Sequence, residues 1–350
     1  MDEIHIPLSS PDVGEAEIQA VVDVMRTRHL SLGPKVPEFE NAFKRYLGVD
    51  HAIAMSSGTA GLHCCLLALG IGPGDEVITT PFSFIASANV IKMVGATPVF
   101  VDIEPKTFNI DAKHIEAAIT PRTKAIILNT PSNPSGAVVS PADLEAIVRL
   151  AHSRGIYVLL DECYVYLTYT GAAVSGGSFT DCKEHVVILG SLSKTYAMTG
   201  WRAGFALGPK QIIGAMSKLQ SQSTSNTASV VQKAAIAALT GPQECVAEMR
   251  ADYLRLRDQT LAGFKTIPGL TCTVPQGAFY VYPNIGAFLG KGGIKTAAEL
   301  ASKLLTEAHV VVVPGEAFGT TEHIRLSYAV SSAEVEKGVN RMREFFQKLA

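Results

Sequence analysis

Between residues 50 and 240 the sequence repeats one alternation, a short apolar β-rich run followed by a helical stretch. AIAM (52–55) precedes GTAGLHCCLLALG, and EVITT (76–80) precedes SANVIKMVG and then TPVFVDI. AIILNT (125–130) precedes PADLEAIVRLAHSRG and then IYVLLDE; HVVILGS (185–191) follows, with GFALGP as one further candidate strand. Strands apolar on both faces and separated by helices predict an α/β fold with a mostly parallel sheet covered on each side. Ligands in such sheets bind beyond the carboxyl ends of the strands.

After Gly241-Pro242 the pattern changes. A long helix, QECVAEMRADYLRLRDQTLAGFKTI, leads to TCTV, GAFYVYP, AAELASKLLTEA, VVVVPG, IRLSYAV and a last amphipathic helix. That order predicts a smaller α+β lobe. The expected division is an N-terminal segment 1–45, packing with the small domain or a dimer partner, a large domain 46–245, and a small domain 246–350. With 350 residues, 47% of them hydrophobic, the chain can bury cores for two lobes. A net charge of −2 gives no footing for nucleic acid or an anionic membrane. No apolar run approaches the roughly 18–20 residues of a bilayer span, and MDEIHIPLSS lacks the order of a signal peptide. The six cysteines form no CxxC pair and no metal-ligand spacing with the nine histidines. They read as reduced thiols of a cytoplasmic protein, with no metal site. His63, in Leu62-His63-Cys64-Cys65, reads as part of an apolar helix face.

The unusual residues gather where strands end. SSGTAG (56–61) puts Ser57, Gly58 and Thr59 between a strand and a helix, where backbone N–H groups suit a phosphate. An ordinary N-cap is the plainer use of the same residues. TTPFSF places Phe82 and Phe84 at the sheet's carboxyl end, to stack on a planar ring or simply to fill core. In TPSNPSG (130–136), Pro134 biases Asn133 towards an extended conformation, so its amide can point into the crevice. Asp161 closes YVLL with Tyr164 three residues on, and a carboxylate there needs a partner. Ser191, Ser193 and Lys194 follow the next strand, with Arg202 eight residues beyond the lysine. A phosphate nest, an aromatic ring, an amide, a carboxylate, a phenol and a lysine on one rim match a phosphorylated pyridine aldehyde.

From about 125 to 347 these motifs, NPSG from Asn133, DECY ending at Tyr164, SLSKTYAMTGWR, PQGAFY and IRLSYA, resemble the class I aminotransferases of the aspartate aminotransferase branch. Those are fold type I enzymes using pyridoxal 5'-phosphate. From 1 to about 122, IPLSSPDVGEAEIQAVVDVM, LGPKVPEFENAF, SSGTAGLHCCLLALGIGPGDEVITTPFSFIASAN and GATPVFVDIEPKTFNID resemble the DegT/DnrJ/StrS sugar aminotransferases, with a join near 121–129.

The resemblance implies roles. Lys194 forms the Schiff base and shuttles the Cα proton. Asp161 keeps the pyridine nitrogen protonated; two unit charges ~3 Å apart at an effective dielectric of ~20 attract by about 5 kcal/mol. Tyr164 and Asn133 bond the ring oxygen, while Ser57, Gly58, Thr59, Ser191 and Arg202 hold the phosphate. Ser193 is added there, with a turn hydroxyl as its alternative. Phe84 is the chosen stacking ring and Phe82 the runner-up. Arg325 grips the substrate α-carboxylate, which its fork geometry suits, and a surface ion pair is its plainer use. The implied activity is ping-pong transamination between an α-amino acid and a 2-oxo acid, in a homodimer with shared sites. A keto-sugar aminotransferase, or a decarboxylase, eliminase or C–C bond-forming enzyme on the same scaffold, are the alternatives. Arg28, His29 and Lys35 are candidates for reading the substrate side chain on sequence order alone.

Overall fold

The computed structural model describes residues 14–27, 30, 35–47, 49–171 and 174–349. Seven strands form the large sheet: β1 (Ala52–Met55), β2 (Glu76–Thr79), β3 (Thr97–Phe100), β4 (Thr123–Asn129), β5 (Tyr157–Asp161), β6 (Val186–Ser191) and β7 (Gly204–Leu207). Their order is β1-β7-β6-β5-β4-β2-β3. Only β7 runs against its neighbours, so GFALGP is a strand but an antiparallel one.

Continuous apolar strands place cores on both faces. Ile126, Leu128, Val158, Leu160 and Ile188 enter one cluster, while Ala125, Ile127, Leu159, Val187 and Leu189 enter the opposite one. Burying a side chain of this size stabilises by roughly 1.5–3 kcal/mol. Several helices begin just after a residue that caps them. Ser140 accepts from the Asp143 amide (3.0 Å) just before Pro141 opens helix Pro141–Ser153.

Register sets the site. Met55 pairs with Gly204 and Gly204 with Ser191, while Asn129 pairs with Asp161 and Asp161 with Leu189. The carboxyl ends of β1, β4, β5 and β6 therefore finish along one rim.

The smaller lobe has a three-stranded antiparallel sheet, β8 (Tyr280–Val281), β9 (Val313–Pro314) and β10 (Ile324–Ser327), in the order β8-β10-β9. Helices Glu244–Phe264, Ala297–Ala308 and Ser332–Leu349 cover it. TCTV does not become a strand. Thr271, Thr273 and Val274 are exposed, and Thr271 makes only an isolated bridge to Asn284. Tyr164 and Leu167, just past β5, pack into this lobe's core with Phe279, Val281 and Leu300.

The N-terminal helices Glu15–Met25 and Lys35–Leu47 lie on helix Ser229–Thr240 of the large lobe. Phe39, Ala42 and Phe43 enter the large-lobe core, and the Phe43 ring centroid is 4.4 Å from that of Phe205. In helix Gly58–Ala68, Leu62, Cys64 and Cys65 are buried around a half-buried His63. Among the described residues no helix is long and apolar enough to cross a membrane.

Candidate active site

The rim begins at the turn after β1. Ser57 caps helix Gly58–Ala68, its hydroxyl accepting from the Ala60 amide (3.1 Å), while Gly58 is buried and Thr59 exposed in the first turn. Close approach of backbone fixes this turn. A Cβ on Gly58 would lie 3.2 Å from Cys163 Sγ, and one on Gly204 would lie 2.8 Å from the Ser57 carbonyl carbon. The turn is thereby held against Cys163 and the end of β6 at Gly190.

At the end of β5, Asp161 accepts from the Cys163 amide (3.2 Å) and keeps a half-exposed face. Burial pushes its pKa above the usual carboxylate range, while the bonds from Cys163 and the charge of Lys194 pull the other way. Lys194 stands half-buried in the one-turn helix Leu192–Thr195, its Nζ 5.5 Å from the Phe279 ring centroid.

Tyr164 is buried, and its hydroxyl lies 3.0 Å from that of Tyr280. Burial, reinforced by Tyr280, raises its pKa well above the usual 10, so it stays a protonated donor. Buried Asn133 accepts, through Oδ1, a 2.7 Å bond from Arg325 Nη1. The Arg325 guanidinium sits over two rings, 4.5 Å from the Tyr280 centroid and 5.3 Å from that of Phe318. Its Nε is buried without a hydrogen-bond partner. A buried donor left unpaired calls for an acceptor, and a carboxylate meets that need.

The family model of aminotransferase class I and II matches residues 4–342. The chain belongs to that family. An aspartate aminotransferase of Geobacillus stearothermophilus is 37% identical, aligned over 100% of this chain and 92% of its own. An asparagine–oxo-acid transaminase of Streptococcus mutans is 36% identical over 99% and 92%. The crystal structure of the aspartate aminotransferase from Rhizobium meliloti superimposes with a TM-score of 0.87 at 34% identity, covering 99% of this chain and 92% of that one. The class I and II match runs through the first third as well, and the comparisons do not show the sugar aminotransferase resemblance read there.

Several expected residues take less direct places in this aminotransferase. Buried Ser191 does not cap the helix it precedes, and its hydroxyl meets only Cys163 Sγ at 3.6 Å. The carbonyl of Ser193 accepts from the Thr199 hydroxyl (3.0 Å), tying the turn, while its own hydroxyl has no partner among the described residues. Arg202 is exposed, has no side-chain partner among the described residues, and holds a left-handed backbone at φ 60°. That conformation costs an arginine about 1–2 kcal/mol, an outlay common at ligand-binding turns. Phe82 is 3% exposed, with its ring among those of Phe108, Tyr282 and Phe318, so the core uses it. Phe84, 48% exposed, is the ring left free. Arg28 and His29, and the Lys35 side chain, lie outside the described residues.

Sequence reasoning missed Cys163, Phe279, Tyr280 and Phe318 as neighbours of the site. The signal for two of them was present, since GAFY carries both Phe279 and Tyr280. A separate cavity of about 540 Å³, lined by His51, Tyr157, Lys183, His185 and Lys210, opens at the opposite end of the sheet and contains none of these residues.

Proposed function

We propose that the rim binds pyridoxal 5'-phosphate through the residues above and transfers an amino group between aspartate, the substrate in two of the relatives' names, and a 2-oxo acid. The family supports the transaminase activity on amino acid and oxo acid substrates. The observation that carries the substrate class is Arg325, bonded to Asn133, backed by two rings and short of one acceptor. A keto-sugar acceptor has no α-carboxylate to fill that need.

The donor set fits the cofactor. Asp161 offers a carboxylate in want of a cation, the turn at Ser57-Gly58-Thr59 offers amides, and Arg202 offers a free guanidinium. Bound there, pyridoxal phosphate supplies an aldehyde that links to amines and a ring that takes up electrons. Lys194 would hold that link, and its amine would serve to move the proton at the substrate Cα. Asp161 keeps the ring nitrogen protonated, and Tyr164 donates to the ring oxygen. Asn133, with its Oδ1 committed to Arg325, turns its amide nitrogen to the same oxygen. Ser57, Gly58, Thr59, Ser191 and Arg202 take the phosphate, and Ser193 serves the turn behind them. Phe84 covers the ring face.

The reading includes a homodimer and a reducing, cytoplasmic setting. Leu67, Ile85 and Met93 are all exposed on the packed helices Gly58–Ala68 and Ala86–Met93 and the turn before them, the composition of a contact face. All six cysteines are free.

The test is a panel of amino donors given to the cofactor-loaded protein without oxo acid. Aspartate should convert the bound cofactor's absorbance to that of its amine form, and Arg325→Ala should lose about 100-fold or more in kcat/KM while retaining cofactor. Conversion by a keto-sugar's amine and by no amino acid would replace this reading.

A further inference from the structure

The Tyr164 and Tyr280 hydroxyls are 3.0 Å apart in a buried contact, and their rings meet edge to face with centroids 5.8 Å apart. The Tyr280 ring also lies 4.5 Å from the Arg325 guanidinium carbon. Tyr280 opens β8, pairing with Ser327 of β10, the strand that carries Arg325. One side chain therefore touches both the phenol assigned to the cofactor and the guanidinium assigned to the substrate.

Tyr164 has a single hydroxyl proton. Given to Tyr280, it would leave only lone pairs facing the cofactor's ring oxygen. Received from Tyr280 instead, the hydrogen bond leaves the Tyr164 proton free and makes it a stronger donor by polarisation. The electron-rich face of Tyr280 also restrains the guanidinium it faces. We propose that Tyr280 is a positioning residue for both halves of the site. Its hydroxyl aims the Tyr164 proton at the cofactor's ring oxygen, and its ring holds Arg325 for the substrate carboxylate. This rests on the assignments of Tyr164 and Arg325 made above.

Two substitutions separate the two tasks. Tyr280→Phe keeps the ring and removes the hydroxyl. With a weaker donor at Tyr164, the charge on the ring oxygen is less dispersed and holds the neighbouring proton more tightly. The pH midpoint of the bound cofactor's absorbance should rise by about half a unit, with KM for the amino acid nearly unchanged. Tyr280→Leu removes the ring as well and should raise that KM about three- to tenfold. If the leucine protein does not fold, Tyr280→Met fills the space without an aromatic face and carries the same comparison.

Tyr164→Phe is the reference and should move the midpoint further than Tyr280→Phe. A midpoint that moves in Tyr164→Phe and stays in Tyr280→Phe overturns the role of the Tyr280 hydroxyl and leaves the Tyr164 assignment standing. A midpoint unmoved in both overturns the two together. An unchanged KM in the ringless variant overturns the hold on Arg325.

Discussion

Glu162, one residue past Asp161, is 5% exposed and accepts from the Ser175 hydroxyl (2.7 Å) and the Gly176 amide (2.6 Å). Burial pushes its pKa from an ordinary 4.5 up to about 7; the two bonds oppose that rise and neighbouring Asp161 adds to it. A carboxyl with a raised folded pKa contributes stability that is full below pH 4.5 and is lost as the pH climbs through about 7. The loss amounts to about 3 kcal/mol at most. Thermal unfolding of the cofactor-free protein should show a falling midpoint between pH 5 and 8, and Glu162→Gln should flatten it. An equally steep fall in that variant would place the titration elsewhere. At this scale the sequence exposed what strand ends expose. Lys194, Asp161, Asn133 and Ser191 stand next to the apolar runs of β4, β5 and β6, where local pattern fixes position. The pairing of Tyr280 with Tyr164 was silent because the two are 116 positions apart, and only docking of the two lobes brings them together. Phe82 and Phe84 read alike in sequence; three ring neighbours decide that one is core.

At the scale of elements, β7 determines how the Ser57 turn and the end of β6 are spaced. It runs antiparallel between β1 and β6, with Gly204 beside both the Ser57 turn and Gly190. A Cβ at 204 would meet the Ser57 carbonyl carbon at 2.8 Å and the Gly190 oxygen at 2.9 Å, all backbone and unable to swing aside. Gly204→Ala should therefore part β1 from β6, at a cost of about 1–3 kcal/mol in stability. Cofactor retention, followed by dialysis and absorbance, should weaken about tenfold; undiminished retention would mean that the Ser57 turn does not hold the phosphate. Most strands of the large sheet were legible to within a residue or two because their apolar runs are continuous; TPVFVDI stops three residues early, at Phe100, where the edge strand is only partly buried. Those of the small lobe were not. VVVVPG gives only the two-residue β9 and GAFYVYP only the two-residue β8, since such short segments depend on partners that sequence does not name.

For the whole molecule, the exposed side chains Leu67, Ile85 and Met93 predict self-association through helices Gly58–Ala68 and Ala86–Met93. Met93→Lys, far along its helix from the rim, should shift sedimentation towards the monomer and lower specific activity at low protein concentration. A variant that stays dimeric at the same concentrations would move the contact to another face. Within one chain the lobes are joined more finely. Asn133 on the large lobe and Arg325 on the small one, 192 positions apart, share a single hydrogen bond. Tyr164 leaves β5 only to be buried among the small lobe's aromatic side chains. Neither lobe is thus an independent module that recombination could trade for a distant cousin's: a swapped half would bring its own fold but the wrong counterpart, and the pair must be inherited together.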